Sequence, residues 1–331
     1  MTQTTLAFQI DRDGKTHQAG LKELPVPELN DGEVRIAVEY SSVNYKDALA
    51  GTGKGAILRR FPLVGGIDLA GSISASRHAE FQEGDAVLTT GCGLSETVDG
   101  GYTQIATVSG DKVVPLPKGL STREAMGLGT AGFTAGLCLL RMEAVGQVPD
   151  MGPVVVTGAS GGVGTLALQV FSQAGFDVHA ISGKSARFDL LIELGAKQCV
   201  SRRDLHWGQR PLETHRWAGA VDTVGGEMLA GLTRVVAPWG SIASCGLAGG
   251  HELHTTVMPF IIRGISLLGI NSAGCPMPLR RQVWERLASD LKPALLDQII
   301  TREVTLKQLP EVFELLLSGE SVGRTVVHTA G

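Results

Sequence analysis

One glycine-rich segment constrains the fold more than any other part of the sequence. It reads Val154-Val155-Val156-Thr157-Gly158-Ala159-Ser160-Gly161-Gly162-Val163-Gly164, and a helical apolar pattern follows it. Gly158 permits a sharp turn at the end of a strand, and Gly161 or Gly162 lets the backbone approach a pyrophosphate. Gly164 lets the next helix pack closely on the sheet, and the free N–H groups at the start of that helix favour an anion. The segment therefore predicts a dinucleotide-binding turn.

The chain after this turn alternates apolar runs with helical stretches. Val178–Ile181 precedes the helical pattern of Ala186–Leu194, and Ala220–Val224 precedes that of Glu227–Val236. Continuous apolar strands separated by helices imply a parallel sheet that is covered on both faces. We therefore predict an α/β, doubly wound parallel sheet of the Rossmann type.

The front of the chain has a different pattern. Val34–Tyr40 alternates apolar and polar residues, which is typical of a strand with one buried face, and glycine, proline and acidic turns divide the neighbouring runs. Ser121-Thr122-Arg123-Glu124 matches a capping box that opens a helix. Near the end of the chain, Thr325–Val327 is a strand that could rejoin the front unit. The front is therefore predicted to be a small β-rich unit.

The end of the second strand indicates which dinucleotide is bound. NAD-selective sites place an Asp or Glu there, about 20 residues after the turn, to bind the ribose hydroxyls. This chain has Ser182-Gly183-Lys184 at that position and Arg187 shortly after it. A hydroxyl and two cations suit a 2′-phosphate, which arginine grips in a bidentate fashion. We therefore predict NADPH, with solvated helix residues as the alternative for Lys184 and Arg187.

Two later strand ends are expected to line the same site, because doubly wound sheets bind ligands at the carboxyl ends of their strands. Cys245, Gly246 and Leu247 follow one strand and would contact the nicotinamide through their backbone. Ser272, beside Asn271, ends another. Cys245 is not expected to be a nucleophile, because no base adjoins it in the sequence.

Composition excludes several classes of function. The 331 residues carry a net charge of −4, whereas a nucleic-acid-binding domain is expected to be strongly basic. No apolar stretch reaches the roughly 20 residues that span a bilayer, and the N-terminus lacks secretory-signal features, so we expect no membrane association and a cytoplasmic location. The five scattered cysteines have neither disulfide-framework nor zinc-site spacing.

Several further segments resemble the medium-chain dehydrogenase/reductase superfamily, quinone-oxidoreductase branch, and within it the NADPH-dependent acryloyl-CoA reductase group. The resemblance covers essentially the whole chain. The segments are Ser41-Ser42-Val43-Asn44-Tyr45-Lys46-Asp47, Gly66-Ile67-Asp68-Leu69-Ala70-Gly71, Gly129-Thr130-Ala131-Gly132-Phe133-Thr134-Ala135, Ala243-Ser244-Cys245-Gly246-Leu247-Ala248-Gly249-Gly250 and Thr256-Val257-Met258-Pro259-Phe260-Ile261.

The same resemblance argues against zinc. Zinc-dependent relatives carry a Cys within the segment matching Ser42–Asp47 and a Gly-His-Glu where this chain has Gly66-Ile67-Asp68, and neither is present. The four-cysteine lobe that holds structural zinc is also missing, so no metal is expected. Without a Lewis acid the oxidation of an alcohol is difficult, which makes hydride addition to a conjugated alkene the natural chemistry.

The resemblance also implies an architecture and site residues. It implies a GroES-like β-rich catalytic domain at 1–122 and 289–331, and a Rossmann cofactor domain at 123–288. Tyr45 and Asn44 would face the nicotinamide, where Tyr45 could bind the cofactor or donate a proton and Asn44 could orient the nicotinamide or the carbonyl. Thr130, Arg202 and Arg324 would lie near the cofactor. Asp68 would brace the loop, with a simple turn carboxylate as the alternative. Independently of the resemblance, Lys46 and Asp47 could equally form a local surface pair.

The expected reaction is NADPH-dependent reduction of the double bond of a short enoyl thioester, most simply acryloyl-CoA to propionyl-CoA. A CoA thioester is polyanionic, and Lys54, Arg59 and Arg60 cluster in a glycine-rich loop where they could grip its phosphates or simply be solvated. A quinone or small-enone reductase is the alternative, and a non-catalytic NADPH-binding redox sensor is a further one. The resemblance implies a homodimer, with the strand near Ile265–Ile270 as its candidate interface.

Overall fold

The computed structural model describes residues 3–14 and 16–330, and backbone contacts divide the chain into two compact units. The first comprises Met1–Thr130, Ala273–Gln282 and Leu296–Gly331, and the second Ala131–Ser272 and Val283–Leu295. The predicted domain limits (1–122 with 289–331, and 123–288) differ from the limits of these units at every point where the chain passes from one unit to the other. They stay a prediction, because a compact unit and a functional domain need not end at the same residue.

The first unit is built mainly from strands. The strands, numbered in chain order, are β1 Thr4–Asp13, β2 Thr16–Pro25, β3 Glu33–Ser42, β4 Leu63–Val64, β5 Asp68–Ser76, β6 Ala86–Thr90, β7 Ile105–Ser109, β8 Val114–Pro115, β15 Ile300–Thr305 and β16 Arg324–His328. A three-stranded sheet has the order β2-β1-β4, and a seven-stranded sheet has the order β15-β16-β3-β5-β6-β8, with β7 also paired to β3. The helices within this unit are α1 Tyr45–Thr52, α8 Leu296–Ile299 and α9 Leu309–Leu317.

Strand β3 forms as its alternation predicts, because Val34, Ile36 and Val38 are buried on one face. The tail of the chain returns to this strand, since β16 pairs with it antiparallel through Val326 and Ser42. The last strand therefore reaches the start of α1, where several predicted site residues lie.

The second unit is a six-stranded parallel sheet of order β11-β10-β9-β12-β13-β14. The order reverses between β9 and β12, and such a switch point is where doubly wound sheets bind ligands. The α/β Rossmann prediction is therefore confirmed. Its strands are β9 Val154–Thr157, β10 Val178–Ser182, β11 Ala196–Ser201, β12 Trp217–Asp222, β13 Val236–Ser244 and β14 Ser266–Gly269, and its helices are α3 Gly162–Gln173, α4 Phe188–Glu193, α5 Gly226–Val235 and α6 Met258–Arg263.

Two helices, α2 (Thr122–Glu143) and α7 (Met277–Leu287), contribute residues to both units. The capping box at the start of α2 is present, since Ser121 N donates to Glu124 Oε2 at 2.8 Å and Glu124 N donates to Ser121 Oγ at 3.2 Å. Gly129 interrupts the helix with φ 50° and ψ −156°. By length and composition α2 could cross a membrane, but 89% of its apolar window is buried, as in the core helix of a soluble protein.

Candidate active site

The glycine-rich turn has the geometry that a pyrophosphate requires. Gly158 has φ 58°, and a Cβ atom there would lie 2.3 Å from Thr223 Oγ1. A Cβ atom on Gly164 would lie 2.4 Å from Gly158 O, so any side chain would force α3 away from the turn. Gly161 precedes the helix, and the N–H groups of its first turn have no acceptor within the helix. The backbone here fits a dinucleotide phosphate.

A second group of predicted cofactor residues surrounds the end of β10. Ser160 Oγ and Ser182 Oγ are 3.0 Å apart, and Lys184 N donates to Ser182 Oγ at 3.1 Å. The guanidinium of Arg202 lies 3.3 Å from where a Cβ of Gly183 would stand. The structure thus brings together residues 160, 182–184 and 202, and it places Arg187 at the exposed end of a short 3₁₀ turn.

The ends of β12 and β13 are joined by Asp222, a residue that the sequence reasoning did not assign. Thr157 Oγ1 donates to Asp222 Oδ1 at 2.7 Å, and Gly225 N donates to Asp222 Oδ2 at 2.8 Å. Burial raises the pKa of this carboxyl, and the three hydrogen bonds it accepts from Thr157, Gly225 and Val224 oppose that shift. Cys245 N donates to Asp222 O at 2.9 Å. The predicted nicotinamide loop Cys245–Leu247 is therefore held to the neighbouring strand end.

In the first unit, Asp68 is the centre of a buried hydrogen-bond network. Its Oδ2 accepts from Ser42 Oγ at 2.6 Å, from Asn44 Nδ2 at 2.9 Å and from Thr130 N at 2.9 Å. Thr130 Oγ1 donates to the other oxygen, Oδ1, at 2.5 Å. The predicted bracing role of Asp68 thus has a physical basis in residues from β3, β5, α2 and the start of α1.

Arg324 completes this network from β16. Its Nη2 donates to Ser42 Oγ at 2.9 Å and its Nη1 to Asn44 Oδ1 at 3.1 Å, while its Nε donates to Gly127 O at 3.1 Å. Burial lowers the pKa of this guanidinium, and the nearby Asp68 and Asp47 carboxylates oppose the shift. Gly129 is required here, because its Cβ would lie 2.7 Å from Asp68 Oδ2 and 2.8 Å from Arg324 Nη2.

Asp47 belongs to the same buried cluster, so the expectation that it forms a surface pair with Lys46 is wrong. Its side chain accepts from Asn44 N at 2.8 Å and from Ile67 N at 2.9 Å, and the residue is only 1% exposed. Burial, followed by the charge of Asp68, raises the pKa of Asp47 to about 7. Lys46 instead forms an ion pair with Glu96. The spacing of Asn44 and Asp47 matches a capping box, and this was the signal in the sequence that could have indicated that Asp47 binds the backbone rather than Lys46.

Tyr45 stands apart from its neighbours. Asn44 is tied into the carboxylate cluster and Lys46 to Glu96, whereas Tyr45 is 47% exposed. Its hydroxyl makes no hydrogen bond with any other residue in the described part of the chain. The residues before and after Tyr45 are therefore fixed by their side-chain contacts, while the phenol of Tyr45 itself is free.

The three predicted substrate cations have different surroundings. Lys54 Nζ forms an ion pair with Glu314 Oε2 at 2.8 Å, and Arg60 Nε donates to Thr97 O at 2.9 Å. Arg59 is exposed, its backbone N donates to Glu96 O at 2.7 Å, and its guanidinium contacts no partner among residues 3–14 and 16–330.

The cysteine and histidine ligands of the zinc-dependent relatives are replaced here by groups that are already engaged with each other. Over the described ranges, no three or more His, Cys, Asp or Glu side chains form a group that could hold a metal ion. Asp68 and Asp47 use their oxygens for hydrogen bonds from Asn44, Thr130 and a backbone N–H. These carboxylates therefore belong to a hydrogen-bonded polar cluster.

A doubly wound sheet with a dinucleotide turn, in a chain with a β-rich unit, defines a dinucleotide-dependent oxidoreductase. Family models agree: residues 30–118 match the alcohol dehydrogenase GroES-like domain, and residues 162–291 match the zinc-binding dehydrogenase family. The chain belongs to the medium-chain dehydrogenase/reductase superfamily, as the sequence predicted.

Three relatives match almost the whole chain. Acrylyl-CoA reductase AcuI of Ruegeria pomeroyi is 46% identical over 97% of this chain and 98% of its own length. YhfP of Bacillus subtilis, which has a provisional quinone oxidoreductase name, is 45% identical over 97% and 98%. Its structure with NAD bound has a TM-score of 0.95 over 99% of this chain and 100% of that chain. The yhdH oxidoreductase of Salmonella enterica in complex with NADP is 43% identical, with a TM-score of 0.93 over 98% and 99%.

Proposed function

We propose that this protein reduces the conjugated carbon–carbon double bond of a short enoyl thioester with NADPH, converting acryloyl-CoA to propionyl-CoA. The observation that carries the proposal is the free phenol of Tyr45 beside a cluster of polar groups that replaces the zinc ligands of the zinc-dependent relatives. The 46% identity to an acrylyl-CoA reductase supports the choice of substrate. Hydride addition to an activated alkene needs an oriented substrate and a stabilised enolate, and it needs no metal.

The chain's own residues would supply orientation and a proton. NADPH, when bound, supplies the hydride. We propose that the Tyr45 hydroxyl donates a hydrogen bond to the thioester oxygen as negative charge develops, or donates the proton that the α-carbon needs. Asn44 has its amide nitrogen and oxygen engaged by Asp68 and Arg324, so we assign it the positioning of Tyr45 rather than contact with the substrate.

NADPH is preferred over NADH in this proposal because of the residues around the end of β10. Ser182 accepts a hydrogen bond from the backbone N–H of Lys184, the guanidinium of Arg202 lies next to Gly183, and the sequence has no Asp or Glu at positions 182–184 to bind the ribose hydroxyls. The Salmonella relative is solved with NADP and the Bacillus relative with NAD. Gly158–Gly164 would hold the pyrophosphate, while Thr130, Arg187, Cys245–Leu247, Ser272 and Arg324 remain proposed cofactor neighbours.

Arg59 is the residue that we propose for binding a CoA phosphate. Lys54 and Arg60 already have protein partners, and Arg59 has a free guanidinium on an exposed loop. We expect Arg59→Met to raise KM for acryloyl-CoA about tenfold, the typical loss of one charge-assisted contact, with kcat little changed. Lys54→Met is the matched control and should leave KM within about twofold. Equal KM values in the two variants would show that Arg59 does not bind CoA.

A quinone or small-enone reductase is the second candidate, and the name of the Bacillus relative favours it. Such a reductase would use the same fold, the same cofactor and Tyr45, and it would need no residues that bind CoA. A redox sensor that binds NADPH without turnover is a third possibility, and only the absence of turnover would favour it.

The deciding experiment follows NADPH oxidation with acryloyl-CoA, crotonyl-CoA, a quinone and free acrylate, each at the same concentration. We expect acryloyl-CoA to give the highest kcat/KM. Turnover only with the quinone would move the assignment to the second candidate. NADPH binding without oxidation by any of the four would favour the sensor.

We further propose that the protein is a cytoplasmic homodimer. In the described part of the chain the edge strand β14 has no partner strand on its outer side, and exposed apolar residues lie on and just before α6, the helix that precedes β14 in the sequence. They are Val257, Met258, Ile261 and Ile262. Exposed apolar patches of this kind mark protein–protein interfaces, and a second copy can extend the sheet through a free strand edge.

A further inference from the structure

The second unit contains a surface cavity, open to solvent, that the proposed reaction does not use. Its volume is about 330 Å³, the size of a small-molecule site, and it is lined by Gln209, Pro211, Arg234, Leu253, His254, Thr255 and Thr256. Arg234 lies in the last turn of α5, whereas α5 begins at Gly226, just after the carboxyl end of β12. A helix of this length places the cavity about 12–15 Å from the edge of the sheet that carries the dinucleotide turn.

Arg234 places a positive charge in this cavity, and some of its N–H groups have no partner in the described structure. Its Nη1 donates to Gly208 O at 2.8 Å. Its Nε and Nη2 donate to no group within the described ranges, and no carboxylate forms an ion pair with it there. A guanidinium with two free N–H edges is suited to bidentate binding of an oxyanion.

The segment Leu253–Thr256, which also lines the cavity, supplies neutral donors. Residues 252–256 form neither helix nor strand, and in the described structure the N–H groups of Leu253, His254, Thr255 and Thr256 donate to no acceptor. Thr256 Oγ1 accepts from Met258 N at 3.3 Å, which leaves its own hydrogen to donate. Backbone N–H groups without an internal acceptor are available to donate to a bound anion.

Two glutamates that lie close in the chain to lining residues contact other side chains. Glu213 forms an ion pair with Arg210, whose guanidinium lies 2.8 Å from its Oε2, and Glu252 Oε2 lies at hydrogen-bond distance, 3.0 Å, from His254 Nε2. Neither glutamate lines the cavity. Arg263 is also committed, because its Nη1 donates to the carbonyls of Arg234 and Val236 that end α5. The lining therefore carries one available cation, several donors and no carboxylate.

We propose that this cavity is a second ligand site, which binds a small molecule through a phosphate group. Arg234 binds two phosphate oxygens, and Thr256 and the free N–H groups of residues 253–256 bind the remaining ones. Leu253 and Pro211 contact the apolar part of the ligand. This proposal stands independently of the substrate that the dinucleotide site reduces.

The test uses the full chain with NADPH in excess, so that the dinucleotide site is filled. Inorganic phosphate, ribose 5-phosphate and acetate are each titrated and followed by isothermal titration calorimetry. We expect one site for each phosphate compound, with ribose 5-phosphate binding more tightly than inorganic phosphate and acetate more weakly than either. Arg234→Met should weaken both phosphates at least tenfold, and Arg234→Lys should weaken them less.

Arg141→Met is the matched control, because Arg141 is an exposed arginine of α2 outside the cavity. It should bind phosphate as the unmodified protein does, and thermal melts should confirm that every variant is folded. Absence of phosphate binding by the NADPH complex would overturn the proposal. Equal affinity in Arg234→Met and Arg141→Met would overturn it too, and so would acetate binding as tightly as inorganic phosphate.

Discussion

At the scale of single residues, the site in the first unit depends on how polar groups are paired. Asp68 accepts four hydrogen bonds, and Arg324 is the cation buried against it. Breaking such a network leaves a buried charge or donor without a partner, which costs more than its formation contributes. Tyr45 takes no part in this hydrogen-bond network, and so its phenol remains available for chemistry.

Tyr45→Phe should therefore lower kcat without lowering stability. Removal of a proton donor or oxyanion donor typically costs about 10²-fold in rate. The hydroxyl makes no hydrogen bond in the described structure, so the melting temperature should not change. The measurements are steady-state kinetics with acryloyl-CoA and a thermal melt. Tyr40→Phe is the matched control, because its hydroxyl contacts only Glu303 and its loss should leave kcat unchanged.

Asp47 predicts a particular dependence of stability on pH. Its pKa is raised to about 7 in the folded protein, so between its unfolded value of 3.8 and about 7 the native state binds more protons than the unfolded chain. The free energy of unfolding should then fall as pH rises through this window, by at most about 1.4 kcal/mol per pH unit, and be constant with respect to this group above it.

Urea denaturation at pH 5, 6, 7 and 8 measures this dependence, at values chosen on both sides of a pKa of about 7. Asp47→Asn should be less stable overall, because it loses a carboxylate that accepts backbone N–H groups, and it should lack this part of the slope. Asp85→Asn also removes a turn-capping carboxylate, which accepts from Gln82 N on the surface, and should keep the slope. An unchanged slope in Asp47→Asn would contradict the assignment.

At the scale of secondary structure, glycines decide where elements can meet. Gly164 lets α3 begin directly against the turn after β9, and Gly129 breaks α2 where Asp68 and Arg324 come together. The role of Gly164 was predicted, because the spacing of the glycines in the turn indicates it directly. The role of Gly129 was not, because Gly129 lies within a pattern that favours a continuous helix.

Gly164→Ala should weaken NADPH binding and destabilise the second unit. Its Cβ would lie 2.4 Å from Gly158 O, and relieving such overpacking costs about 1–3 kcal/mol. The measurements are the free energy of unfolding in urea and the Kd for NADPH. Gly20→Ala is the control, because its Cβ would meet no atom within 4 Å. If both substitutions changed the Kd equally, the close approach at Gly164 would not matter.

At the scale of the whole molecule, the free edge of the parallel sheet and the apolar surface of α6 lead to the proposed dimer. Ile261 is 74% exposed and Trp239 is 77% exposed, values that are unusual for large apolar side chains on a monomer. Their burial against a second copy would remove this surface from water.

Ile261→Glu should shift the protein from dimer to monomer, because a charge would have to be buried in an apolar interface. Light scattering coupled to size-exclusion chromatography measures the mass. Ile192→Glu is the control, since Ile192 is 47% exposed on α4, which packs against β11 at the edge of the sheet opposite to β14. A protein that is monomeric before substitution, or a dimer that survives in Ile261→Glu, would rule out this interface.

The sequence by itself determined the features that depend on local chemistry. Gly158 and Gly164, the apolar runs of the parallel sheet and the residues at the end of β10 could be recognised because turn sterics, periodicity and phosphate chemistry act over a few positions. Only the tertiary structure decided which groups are buried together. Asp68, Thr130 and Arg324 lie far apart in the chain yet share one network, and this made Asp47 a buried acid and left Tyr45 exposed. Hydrogen bonding between distant residues depends on how the chain folds back, and neighbouring residues do not encode it.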